Sequence, residues 1–145
     1  SDFIFDNSNI SFNESFMNNL NLILNKNKVI LIYPIPEIPF DPLTKIFETS
    51  DSLNYNDLKD YIKTNKLRTS LDKYFIRSKN SFEFLDSFNH KNLYKIYPHK
   101  IFCDYSDCFV HNSEKLFYFD SEHLSTSGAN MLSDIIIKKI EEIKF

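Results

Sequence analysis

Apolar residues recur every four positions near the start of the chain, at Phe12, Phe16, Leu20 and Leu24. That spacing lines one face of a helix and predicts one over Ser11–Lys26. Ser11 followed by Glu14 is a capping-box pattern, and Lys26 and Lys28 suit the negative C-terminal end. Val29-Ile-Leu-Ile-Tyr33 is an unbroken apolar run and predicts a strand buried on both faces, as in a parallel sheet. Pro34, Pro36, Pro39 and Pro42 follow, and proline cannot donate to a ladder, so the strand gives way to a stiff loop. From Glu48 to Lys66 the chain is polar and reads as a surface excursion with one short helix, Leu58 to Ile62.

Leu71, Phe75, Phe82, Leu85 and Phe88 mark the buried side of a second long helix, Leu71 to Phe88. Leu93-Tyr-Lys-Ile-Tyr97 predicts another strand, closed by Pro98. Phe109–His111 and Leu116–Phe119, on either side of Asn112-Ser-Glu-Lys115, suggest a small hairpin. Ala129, Leu132, Ile136, Ile140 and Ile143 predict a last helix over Thr126–Ile143. Helices alternating with buried strands give a layered α/β class. Two parallel strands are too few for a complete sheet. With a start at Ser-Asp-Phe, lacking an initiator Met, that shortfall points to a piece of a larger domain.

Composition narrows the function. The 145 residues include 17 basic and 20 acidic side chains, a net charge of -3, and nothing in that balance favours nucleic acid, which usually calls for a basic face. Hydrophobic residues make up 42%, enough for a core, yet no stretch of about 18 apolar residues could span a membrane. Gly128 is the only glycine. A phosphate-cradling loop and a Gly-x-Ser-x-Gly elbow both need several, so neither lies in this chain. Cys103 and Cys108 fit a local disulfide, a zinc half-site with His99 or His111, or two free thiols. His90, His99 and His111 otherwise read as surface residues in polar loops or at strand ends.

The candidate chemistry lies in Asp120-Ser-Glu-His123, between a strand and a helix. A carboxylate bonded to one ring nitrogen fixes the histidine tautomer and leaves the other nitrogen to take a proton from a hydroxyl nucleophile. The pair alone is a weak pattern: it equally fits an acidic helix start beside a surface histidine.

Asp120-Ser-Glu-His123-Leu-Ser-Thr-Ser-Gly-Ala129 resembles the D-x-x-H-L-S-x-x-G-A block of SGNH domains. More narrowly, it is similar to the SGNH domain fused behind the membrane-bound, acyltransferase family 3 module of bacterial surface-sugar O-acetyltransferases. Val29-Ile-Leu-Ile-Tyr-Pro-Ile-Pro-Glu37 resembles that family's central strand and Pro-x-Pro-Glu turn. Phe102-Cys-Asp-Tyr-Ser-Asp-Cys108 resembles its C-D…C segment, and Leu116-Phe-Tyr-Phe-Asp120 the strand that delivers the catalytic Asp. The resemblance runs from about Lys28 to Ile140 with a divergent middle.

It implies a three-layer α/β/α flavodoxin-like sheet, the SGNH hydrolase fold, incomplete at its N-terminus, with residues 1–145 its C-terminal portion. It implies His123 as general base, Asp120 as its orienting partner, and no cofactor or metal. The implied partners are an acyl donor delivered by a fused or partner membrane acyltransferase module, and a surface polysaccharide or glycan acceptor. The implied location is periplasmic or extracytoplasmic, on a bacterial inner-membrane protein. That compartment favours a Cys103–Cys108 disulfide. Pro36, Glu37 and Phe40, at the strand's C-terminal end, are candidates for the substrate cleft. The family's nucleophile sits in a Gly-Asp-Ser block that this chain lacks. Ser125 and Ser127 match helix-start positions instead. A non-catalytic carbohydrate-binding or scaffolding remnant is the alternative.

Overall fold

A computed structural model describes residues 12–48 and 55–143, with the side chains of 55–58 left aside. The proposed cap at Ser11 lies outside the described residues. The elements run α1 (Phe12–Leu24), β1 (Val29–Ile32), α2 (Pro42–Phe47), α3 (Tyr55–Thr64), β2 (Arg68–Ser70), α4 (Leu71–Asp86), β3 (Leu93–Ile96), α5 (His99–Phe102), β4 (Asp107–Phe109) and α6 (Thr126–Ile143).

The two expected strands form, each one residue shorter than its apolar run. β1 and β3 pair in parallel, Val29 opposite Leu93 and Ile32 opposite Ile96. Tyr33 still donates its N–H to the Ile96 carbonyl at 2.9 Å before the prolines take over. α1, the C-terminal end of α4 and the residues just after it pack beside this sheet through Leu20, Leu24 and Phe88, with Phe16, Phe84 and Leu85 around them. The expected stripe on α1 is therefore half right: Leu20 and Leu24 are buried, but Phe12 is 76% exposed. Lys28 reaches α6. Its ammonium donates to the Ile143 carbonyl at the end of α6, which satisfies an acceptor left over at that terminus.

A second pair, β2 with β4, is antiparallel, with Thr69 opposite Cys108. This pair was not expected, since three polar residues make β2. The expected hairpin after β4 shrinks to one antiparallel bridge, His111 with Leu116, and the Phe117 N–H bond to Val110 at 2.8 Å. The Asn112 side chain accepts from the backbone of Glu114 and Lys115, so an Asx-type turn replaces a regular ladder. α2 was also missed. Asp41 caps it by accepting from the Thr44 N–H at 2.7 Å, and Pro42 occupies its first turn, where a missing N–H costs nothing. α3 is longer than the short helix expected.

The main core gathers Ile38, Phe102, Val110, Phe117 and Tyr118. Burying each such side chain contributes roughly 1.5–3 kcal/mol. Tyr118 brings a hydroxyl into that core, and it donates to the Pro36 carbonyl at 2.7 Å. On α4 the buried aromatic is Tyr74, whose hydroxyl donates to the Pro34 carbonyl, whereas Phe75 is 38% exposed. Two tyrosines thus hold the proline loop from opposite elements.

Cys103 and Cys108 are joined in a disulfide. It closes a loop in which Asp104 accepts from the backbone of Ser106 and Asp107. Both sulfurs are used, so the zinc and free-thiol alternatives fall. His111 falls as a ligand too, and it is no surface residue. It is buried, its Nε2 accepts from the Leu67 N–H at 3.1 Å, and its Nδ1 faces the Asn112 carbonyl at 2.8 Å. It ties the β2 entry to the turn after β4. His99 is half-buried among Tyr74, Phe75, Phe82 and Tyr97, where burial lowers its pKa.

Candidate active site

Asp120 and His123 stand in the loop between the Phe117–Tyr118 segment and α6. Two features hold that loop. The Phe119 N–H donates to the His123 carbonyl at 2.8 Å, and Tyr118 bridges Leu124 in antiparallel fashion. Ser125 then starts α6 as its cap. Its hydroxyl donates to the Leu116 carbonyl at 2.6 Å and accepts from the Gly128 N–H at 3.2 Å. A hydroxyl engaged in this way is a structural group, in line with its helix-start position in the sequence block.

Asp120 closes a turn on itself. One carboxylate oxygen accepts from the N–H groups of Glu122 and His123, each at 2.8 Å. The His123 ring then meets the same carboxylate, with Nδ1 at 3.0 Å from Oδ1 and 2.9 Å from Oδ2. An ionised carboxylate only accepts, so Nδ1 carries the hydrogen and Nε2 keeps its lone pair. The His123 side chain is 73% exposed and that of Asp120 34%. The ring is oriented on one side and open on the other.

The electrostatics follow from these bonds. The Glu122 N–H, then the His123 ring, hold the Asp120 carboxyl below its usual range. The Asp120 carboxylate, by hydrogen bond and then by charge, raises His123 above the ordinary histidine value of 6.5. In a proton NMR titration, the His123 ring should therefore titrate above 6.5, and Asp120→Asn should bring the midpoint down. A midpoint indifferent to that substitution would mean that the two side chains do not meet in solution.

The proline loop lies against this turn: the Ile38 N–H donates to the Ser121 carbonyl at 3.1 Å. Of its three candidate residues, Pro36 is fully buried and supports the loop through its carbonyl. Phe40 is half-buried against the main core. Glu37 is exposed, pairs with Arg77 of α4, and lines a cavity together with Thr69, Lys73, Tyr74 and Ser78. Those α4 residues were missed. Lys73 and Arg77 are four apart and so share a helix face, but a charged face is normally just solvated.

Residues 2–138 match the family model described as SGNH domain (fused to AT3 domains), AT3 being acyltransferase family 3. The chain belongs to this SGNH domain family. No curated protein and no solved structure matches it. The resemblance read from the Asp120–Ala129 block is thus borne out across nearly the whole chain. The mixed α/β architecture suits part of an SGNH-type fold, and no described helix is long and apolar enough to cross a membrane. Among the described residues, no group of His, Cys, Asp and Glu is arranged to hold a metal ion.

Proposed function

We propose that this SGNH chain supplies the Asp-His part of a Ser-Asp-His triad in an O-acyltransferase or esterase domain acting on acyl groups of cell-surface carbohydrates. The observation that carries this reading is the bond from His123 Nδ1 to the Asp120 carboxylate, with the far side of the ring open. A serine hydroxyl there would lose its proton to Nε2 as its oxygen attacks the acyl carbonyl. The imidazolium so formed, steadied by Asp120, returns the proton to the leaving alcohol. The acyl group then passes from the serine to a sugar hydroxyl, or to water.

The serine and its oxyanion hole belong to a portion outside these 145 residues, which contain no Gly-Asp-Ser. Two apolar surfaces support that division. Ile32 at the end of β1 is 40% exposed, although the run it closes reads as a strand buried on both faces. On α6, Ile135, Ile137 and Ile140 are likewise exposed. Further parallel strands would cover such faces and complete the three-layer flavodoxin-like sheet. Fusion of such SGNH domains to AT3 domains supports a membrane acyltransferase module as the acyl donor, with this domain on the outer side of that membrane. A disulfide suits that side.

The test uses the complete domain, with the upstream Gly-Asp-Ser segment, and a chromogenic acetyl ester. Release of chromophore with an acetyl adduct on the upstream serine is expected. Neither turnover nor adduct, with glycan binding retained, would leave the carbohydrate-binding remnant as the reading.

A further inference from the structure

The proline loop and the first two turns of α4 enclose a cavity of about 150 Å³ that the proton-transfer chemistry does not use. Its position is set by two contacts. Tyr74, one of its walls, is anchored by the bond of its hydroxyl to the Pro34 carbonyl at 2.7 Å. Glu37 and Pro39, also at its edge, flank Ile38, whose N–H holds the Ser121 carbonyl in the acid/base turn. The cavity and that turn are therefore joined through a backbone bond.

Its chemistry is mixed in a particular way. One aromatic residue, Tyr74, and two hydroxyl-bearing residues, Thr69 and Ser78, are among its lining residues. Arg77 and Lys73 bring two cations. The Glu37 carboxylate answers Arg77, while Lys73 has no ion-pair partner among the described residues. The net charge of the lining is thus positive and resides on Lys73. Lys73 also stands in the first turn of the 16-residue α4, next to its Ser70 cap, where the helix end adds positive potential. An aromatic wall with hydroxyls suits a sugar ring, and an unanswered ammonium suits an anion.

We propose that this cavity is a subsite for an anionic sugar, binding a uronate carboxylate or a sugar phosphate through Lys73. The idea deepens the acyl-transfer reading by naming an acidic glycan as acceptor, and it rests on that reading only for the acceptor role.

The probes are glucuronate, glucose 6-phosphate and glucose, titrated into the ¹⁵N-labelled intact chain and followed by amide NMR. Saturable shifts at Glu37, Lys73 and Tyr74 are expected with at least one anionic sugar, about tenfold weaker with glucose. Whichever anion binds more tightly identifies the source. Lys73→Gln, on an exposed helix position, should keep the spectrum of a folded chain and weaken the anion by a similar factor. Equal affinity for glucose, shifts that never saturate, or indifference to Lys73→Gln would overturn the subsite. His123→Ala should bind the anion as the parent does. Loss of ester turnover in that variant thus leaves the subsite standing, and a failure of sugar binding leaves acyl transfer untouched.

Discussion

In the complete domain, His123→Ala lowers kcat/KM for an acetyl ester by roughly 10³–10⁴-fold or more, and Asp120→Asn lowers it by a comparable factor. The two losses have different causes. Alanine at 123 removes the imidazole Nε2, the lone pair that would take the serine proton. Asparagine at 120 keeps an oxygen for the N–H groups of Glu122 and His123, and the turn persists. Its amide NH₂, however, now faces Nδ1 as a donor. The ring must then carry its hydrogen on Nε2, the wrong nitrogen for a general base.

The pH profile separates them further. A general base works when neutral, so the acid limb of kcat/KM follows the His123 pKa. With Asp120 raising that pKa, the limb lies above 6.5 in the parent domain. In Asp120→Asn the residual activity should rise at lower pH, because the carboxylate that favours the protonated ring is gone. The double variant should be scarcely worse than His123→Ala, since the carboxylate acts only through the ring. Additive losses would mean that Asp120 contributes by some other route.

The Asp120–His123 contact was legible because it is local: three residues of spacing, between a strand and a helix, let carboxylate and ring meet. The parallel strands were legible for a similar reason. Val29–Tyr33 and Leu93–Tyr97 are apolar runs closed by proline, and such runs have few alternatives. Features that depend on distant partners were not legible. β2 is Arg-Thr-Ser and becomes a strand only because Asp107–Phe109 lies beside it. Phe75 is the more apolar of the two on paper, yet Tyr74 is the one buried, its hydroxyl bonded to the Pro34 carbonyl. His111 looked like a loop histidine until Leu67, 44 residues earlier, supplied its N–H. The α4 face of the cavity was invisible for the same reason, since only the fold brings Glu37 to Arg77.

Gly128→Ala is the substitution with the largest expected effect on stability, about 3 kcal/mol or more by urea denaturation. Helix propensity argues the other way: alanine inside a helix gains roughly 0.5–1 kcal/mol over glycine. Close packing decides the sign. A Cβ on residue 128 would stand 2.1 Å from the Phe117 carbonyl oxygen, 3.0 Å from its carbon and 3.1 Å from Leu124 Cδ2. Phe117 cannot retreat, because its carbonyl accepts from Ser125 and its N–H donates to Val110. Its ring also sits in the main core beside Phe102. So the start of α6 must lift away, and with it the Ser125 cap and Leu124, the neighbour of His123. A chain with a single glycine has kept it where backbone meets backbone beneath the acid/base turn. The control is Ala129→Gly on the exposed side of α6, which should cost only about 1 kcal/mol. If Gly128→Ala unfolds at the same urea concentration as the parent while Ala129→Gly unfolds lower, α6 does not approach Phe117 this closely, and the support for His123 must come from elsewhere.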